Sequence, residues 1–179
     1  MPAATSISVR EYLATTYRPD RDYVDGEIVE RNLGELDHSD IQTRLAVMFA
    51  SLRVELKIKV LVEQRVQVST TRFRGPDVCV LAANAPREQI ISHPPLVCIE
   101  VLSREDRMGR VMERADEYLK MGVPNIWIID LQTRSGYRYT AEGFLKATDG
   151  VLRAARPEIA LPIASLFEEF PALEESPGD

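Results

Sequence analysis

The chain has 179 residues, 45% of them apolar and 28% charged, with a formal net charge of −6. That length and mix suit one globular domain with its own core, and exclude a disordered, collagen-like or disulfide-framed chain. The acidic total also excludes a global basic field that would draw the molecule onto DNA, though a single basic cleft remains open to it.

The N-terminal stretch MPAATSISVREYLATTY lacks the apolar centre of a secretory signal, and the run from Pro94 to Ile99 is far short of a membrane span. Two cysteines, Cys79 and Cys98, are too few for a disulfide framework or a zinc cluster. The expected setting is therefore reducing and cytoplasmic, with both cysteines reduced, a disulfide being open to them only if the strand register sets them side by side. Residues 1–173 read as a single domain and the acidic segment 174–179 as a frayed tail.

In chain order, Ser8 to Thr16 reads as a short helix. The alternation on either side of Asp25-Gly26 then marks a hairpin, because that dipeptide suits a turn with positive φ. A long helix begins near Asp37, which can cap it, and Ile41, Leu45, Met48, Leu52 and Leu56 form its buried stripe. Val60 to Val68 alternates as one strand. Pro76 to Leu81 and Leu96 to Leu102 are short, oily central strands. From Glu105 to Met121 a second amphipathic helix runs to Gly122, with Pro124 preventing its resumption. Asn125 to Asp130 is a further buried strand. Gly136 to Thr140 and Phe144 to Thr148 pair at an edge, and Ile163 to Phe170 reads as a closing helix. The sum is an α/β chain with a mixed sheet flanked by helices.

Two of the oily strands carry an acid, Asp77 and Glu100. A carboxylate in such a place is costly unless paired, protonated or bound to a cation. If the strands are antiparallel with Asp77 beside Glu100, opposed residue numbers share one sum. Cys79 then falls opposite Cys98, and all four side chains share a face. Such a pair can hold Mg²⁺ or Mn²⁺ and acidify a bound water that attacks a phosphodiester; equally, each acid can pair with an arginine.

Arg107, Arg110 and Arg114 recur at helical spacing, either as a phosphate track or as a solvated face pairing with Glu113, Asp116 and Glu117. His38 is either a ligand or proton carrier, or a structural first-turn histidine. Ser103 either caps the following helix or orients a metal-bound water. Tyr118 and Trp127 read as core residues.

The order Tyr23-Val24-Asp25-Gly26-Glu27, His38, Arg74-Gly75-Pro76-Asp77-Val78, Glu100-Val101-Leu102-Ser103, Tyr118, Gly122-Val123-Pro124 and Trp127-Ile128-Ile129-Asp130 resembles the Uma-type putative restriction endonucleases. That family has the PD-(D/E)XK nuclease fold, and the resemblance runs from about Val9 to Thr140. It implies a restriction-endonuclease-like core. It also implies that Asp77 and Glu100 are metal ligands, with the Val101 carbonyl as third donor and His38 and Glu27 near the cleft. The lysine of the general pattern would fall two residues after Glu100, where this chain has Leu102. The family's lysine one turn before the tyrosine is here Arg114, and an acid one turn earlier is Arg110. The implied function is a divalent-metal-dependent endonuclease acting on DNA, with Asp77, Glu100 and Arg114 catalytic and a homodimer cutting both strands. The alternative is a nuclease-fold protein that binds nucleic acid or regulates, with weak or lost turnover.

Overall fold

The computed structural model describes residues 6–31, 35–103 and 108–168. The chain opens with α1 (Val9–Ala14), whose first turn is capped by Ser8 Oγ accepting from Glu11 N–H at 3.1 Å. Strands β1 (Arg21–Val24) and β2 (Glu27–Glu30) form the expected hairpin, with Asp25 and Gly26 both at positive φ, 48° and 100°. Gly26 is required twice over, because a Cβ there would lie 2.1 Å from Ser6 Oγ.

Helix α2 (Leu36–Ser51) buries Ile41, Leu45 and Phe49. Its N-cap is Glu35, without a side-chain cap, so Asp37 lies inside the first turn and does not cap it. The segment expected as one strand is two, β3 (Ile58–Val62) and β4 (Val66–Ser69). Glu63, at φ 49°, turns the chain between them, so the two halves enter different sheets. After β5 (Arg72–Arg74) come β6 (Val78–Ala82), β7 (Val97–Leu102) and α3 (Met108–Met121), whose end is closed by Gly122 at φ 96°. Strands β8 (Ile126–Asp130), β9 (Ser135–Thr140) and β10 (Gly143–Lys146) follow.

The tail of the fold departs from expectation. Residues Val151–Ala155 and Glu158–Pro162 form a hairpin, β11 and β12, and the expected closing helix is a single 3-10 segment, Ile163–Phe167. Alternation in β11 and β12 buries Leu152, Ala154, Ile159 and Leu161, a period-2 pattern hidden by the arginine, glutamate and proline around it. The expected flexible tail 174–179 lies outside the described residues.

The central sheet has the order β10-β9-β8-β7-β6-β3. It is mixed, because β7 and β8 run parallel through the α3 crossover while the other neighbours are antiparallel. Alternation sorts its side chains. Val78, Val80, Ile99, Val101, Trp127 and Ile129 pack with α2, whereas Cys79, Cys98, Leu102, Ile126 and Ile128 pack with Val111, Ala115 and Tyr118 of α3. Each such aliphatic side chain contributes roughly 1.5–3 kcal/mol on burial.

A second sheet, β2-β1-β5-β4, carries the aromatic cluster Tyr12, Tyr23 and Phe73. An ion-pair network ties it to α3. Arg74 donates to Glu117 through Nε at 2.6 Å and to Asp22 through a terminal nitrogen at 3.2 Å, while Arg72 bridges Glu117 and Asp25. Arg74, Asp22 and Glu117 are all buried, so this network cannot be replaced by water.

Arg74→Met is expected to lower unfolding stability in urea by about 1.5–3 kcal/mol, because it removes a buried cation from two carboxylates and leaves Glu117 to Arg72, and Asp22 to Arg114 and the Gly75 N–H; a loss below about 1 kcal/mol would show that the sheets are held by their apolar contacts instead. Gly136→Ala is expected to cost about 1–3 kcal/mol, since its Cβ would meet Ile163 Cδ1 at 2.5 Å and Leu152 Cδ1 at 3.0 Å in a filled core.

Candidate functional site

The β6–β7 register pairs Val78 with Ile99 and Cys79 with Cys98, the numbering sum expected from the acid pair. Asp77, the residue just before β6, lies one step beyond the Val78–Ile99 pair, on the side of Glu100. The two acids are 4% and 2% exposed. The cysteines below them are buried free thiols, and burial pushes Cys79 up to about 12.

Each acid is met by protein donors. The Asp77 Oδ2 atom accepts from Val101 N–H at 2.7 Å and lies 3.3 Å from His38 Nε2, while Oδ1 accepts from Arg31 at 3.1 Å. The Asp77 backbone carbonyl accepts from Gln42 at 2.9 Å, which fixes the strand against α2. Glu100 Oε2 accepts from Arg114 and Oε1 from the Tyr118 hydroxyl, both at 2.7 Å. Arg114 Nε also lies 3.5 Å from Asp22 Oδ2.

The two carboxyls are pushed in opposite directions. Burial raises Asp77, but His38, Arg31 and the Val101 N–H together outweigh it and hold the group below its ordinary range. Burial dominates at Glu100 and, with the negative Asp77 beside it, lifts the group above its ordinary range despite Arg114. Arg114 itself is held firmly protonated, mainly by Glu100. Adjacent carboxyls with divided affinities for protons are a feature of functional sites and of ion-pair networks alike.

The residues singled out in the sequence do not all converge. Asp77, Glu100, Val101, His38 and Arg114 are brought together. Ser103 is buried at the end of β7, and the segment joining it to α3 lies outside the described residues. Arg110 is exposed on the first turn of α3, and Arg107 lies outside the described residues. Glu27 is exposed at the start of β2, opposite Val24. The acid of that hairpin which reaches the pair is Asp22, through Arg114. Two of the three helix acids do not pair along their own face, since Glu113 and Glu117 engage Arg72 and Arg74 of β5, while Asp116 pairs with Lys120 one turn on.

Arg31 and Asp22 had not been singled out. Asp22 offered a faint signal, an acid one residue before the apolar pair Tyr23-Val24, of the same kind that marked Asp77 and Glu100. Arg31 offered none, because its role depends on where the hairpin lands. Tyr118 is a core residue as expected, and its hydroxyl also orients Glu100.

The donor chemistry fits a hard divalent ion. One carboxylate stands just before β6 and the other within the neighbouring β7, and Mg²⁺ commonly takes one or two carboxylates and completes its shell with water. Among the described residues no group of three or more histidine, cysteine, aspartate or glutamate side chains is placed to hold a metal ion, so any ion here would have only the two carboxylates as anionic donors. The positive charge already there is substantial, with Arg31, Arg74 and Arg114 set against Asp22, Asp77 and Glu100.

Among solved structures, a crystal structure of a putative nuclease from Anabaena variabilis matches with a TM-score of 0.78 and 23% identity, over 90% of this chain and 97% of that one. That likeness supports the nuclease fold. No curated protein matches the chain. Among the described residues no helix is long and apolar enough to cross a membrane. The family model Uma2, described as "Putative restriction endonuclease", matches residues 10–163, and the chain belongs to that family.

Proposed function

We propose that this protein is a divalent-metal-dependent endonuclease that hydrolyses phosphodiester bonds of DNA at the Asp77–Glu100 pair. The observation that carries the reading is the opposition of two buried carboxylates across β6 and β7, with cations and a histidine gathered on them. Family membership and the nuclease fold support it. Asp77 and Glu100, with the Val101 carbonyl, would hold Mg²⁺ or Mn²⁺, which supplies an acidified water and neutralises charge on the phosphate.

The chain's own residues would do the rest. Arg114, permanently protonated, suits a clamp on the scissile phosphate rather than a proton acceptor. With Leu102 in the place of the general pattern's lysine, proton removal falls to no lysine near the pair, and His38 is the nearby group able to carry a proton. Tyr118 holds Glu100 in place through its hydroxyl. Arg110 on the exposed start of α3, with Arg107 before it, extends the phosphate contacts away from the pair. A homodimer would present two such clefts to the two strands, by analogy with nucleases of this fold, in a cytoplasmic setting.

A second reading is favoured by one observation: every oxygen of Asp77 and Glu100 already has a protein donor or cation beside it. In that reading the chain keeps the nuclease frame and binds nucleic acid without turnover.

Supercoiled plasmid incubated with Mn²⁺ or Mg²⁺ separates the two. The first reading expects metal-dependent nicking that Asp77→Asn lowers by about 10²-fold or more, since a ligand to the ion is lost. Equal products from wild type and Asp77→Asn, on plasmid and on single-stranded DNA, would overturn it and favour the non-cleaving frame.

A further inference from the structure

Arg31 is the part of the site that neither the family pattern nor the proposed chemistry uses. It follows β2 directly, just past the hairpin sheet, and its guanidinium reaches Asp77 Oδ1 at 3.1 Å with the side chain only 11% exposed. Burial disfavours its charge, but Asp77, Asp22 and Glu100 outweigh that, in this order, so the cation stands in the combined field of three carboxylates. Its seat is shaped to receive it. A Cβ at Gly75 would lie 2.9 Å from one terminal nitrogen of Arg31 and 3.4 Å from its Cζ, so the absent side chain makes the room.

A guanidinium so placed does for Asp77 what a metal ion would do: it supplies positive charge to a carboxylate that has lost its water. It does so without leaving the chain. Adding a divalent ion while Arg31 stays would set two further positive charges against carboxylates already matched by arginines. The guanidinium cannot shed its proton to relieve this, so it must move.

We propose that Arg31 is a built-in cation occupying the divalent ion's place at Asp77, so that metal binds this protein only in exchange for the Arg31 guanidinium. The inference rests on the metal-dependent reading above, and it makes the exchange a property of this chain's own hairpin. Arg31 is then a positioning and gating residue rather than a catalytic one. Its long, unbranched side chain can swing from Asp77 without unfolding the β1–β2 turn.

The test is calorimetric titration of Mn²⁺ alone into the intact chain, with a thermal melt to show that each variant is folded. Arg31→Met is expected to bind Mn²⁺ about tenfold or more tightly than wild type, comparable to other changes just outside a metal's ligands. Arg31→Lys, which keeps a cation, is expected to stay closer to wild type than Arg31→Met. Gly75→Ala alters no charge but crowds the guanidinium, and it too is expected to tighten binding. The gain must vanish when Asp77→Asn is added to Arg31→Met. The proposal is overturned if Arg31→Met and Gly75→Ala bind Mn²⁺ no more tightly than wild type, or if the gain survives loss of Asp77. Metal-dependent plasmid nicking by wild type alongside such a failure would leave the nuclease reading standing. A gain in Mn²⁺ binding without nicking by any variant would establish the gate and count against turnover.

Discussion

Two buried carboxylates, one at the entry to β6 and one within β7, must be given positive charge, and much of the architecture around them supplies it. An isolated buried carboxylate would take up a proton or destabilise its strand. Here Asp77 is met by Arg31 and His38, and Glu100 by Arg114 and Tyr118. Those partners come from four places: the end of the first hairpin, the first turn of α2, and two successive turns of α3. The hairpin sheet, both helices and the central sheet therefore converge on one point. The Arg74–Glu117–Asp22 network beside it holds the hairpin sheet against α3 at the distance these contacts need.

The central strands and the acid register could be read from residue type alone. The sum that pairs Cys79 with Cys98 follows from placing Asp77 beside Glu100, and the strands obey it. The Asp25-Gly26 turn, the Ile41–Leu45 start of the α2 stripe and the Gly122 stop were legible for the same reason, each being a local rule with a strong steric or burial term. The stripe's later part fails because the helix ends at Ser51 and buries Phe49 instead. What escaped were features set by distant partners. The break at Glu63 inside an alternating run is imposed by two different sheets claiming the two halves. The β11–β12 hairpin is short and interrupted by charges, so its alternation carries weight only beside the core it covers. Arg31 looks like any surface arginine until the hairpin is folded back across Gly75.

The departures from the family pattern belong to one change in charge. On the expected pattern Leu102 and Arg114 stand where lysines would fall, so the strand has no cation there and the helix offers a permanent one, while Arg31 sets a further guanidinium on the other acid. Arginine binds carboxylate and phosphate with the same fork, so both groups can serve a phosphate-binding cleft as well as hold the acids while it is empty. With a net charge of −6 the chain gains little from long-range attraction to DNA, so on the proposed nuclease reading these few convergent arginines would have to supply the phosphate contacts.

The most direct measurement is an anomalous difference map from crystals grown with Mn²⁺. The account expects one peak shared by the Asp77 and Glu100 carboxylates, with the Arg31 side chain turned away from Asp77. A map with no peak between them, while Arg31 and Arg114 remain on the two carboxylates at saturating Mn²⁺, would contradict it and leave the acids as a purely structural ion-pair centre.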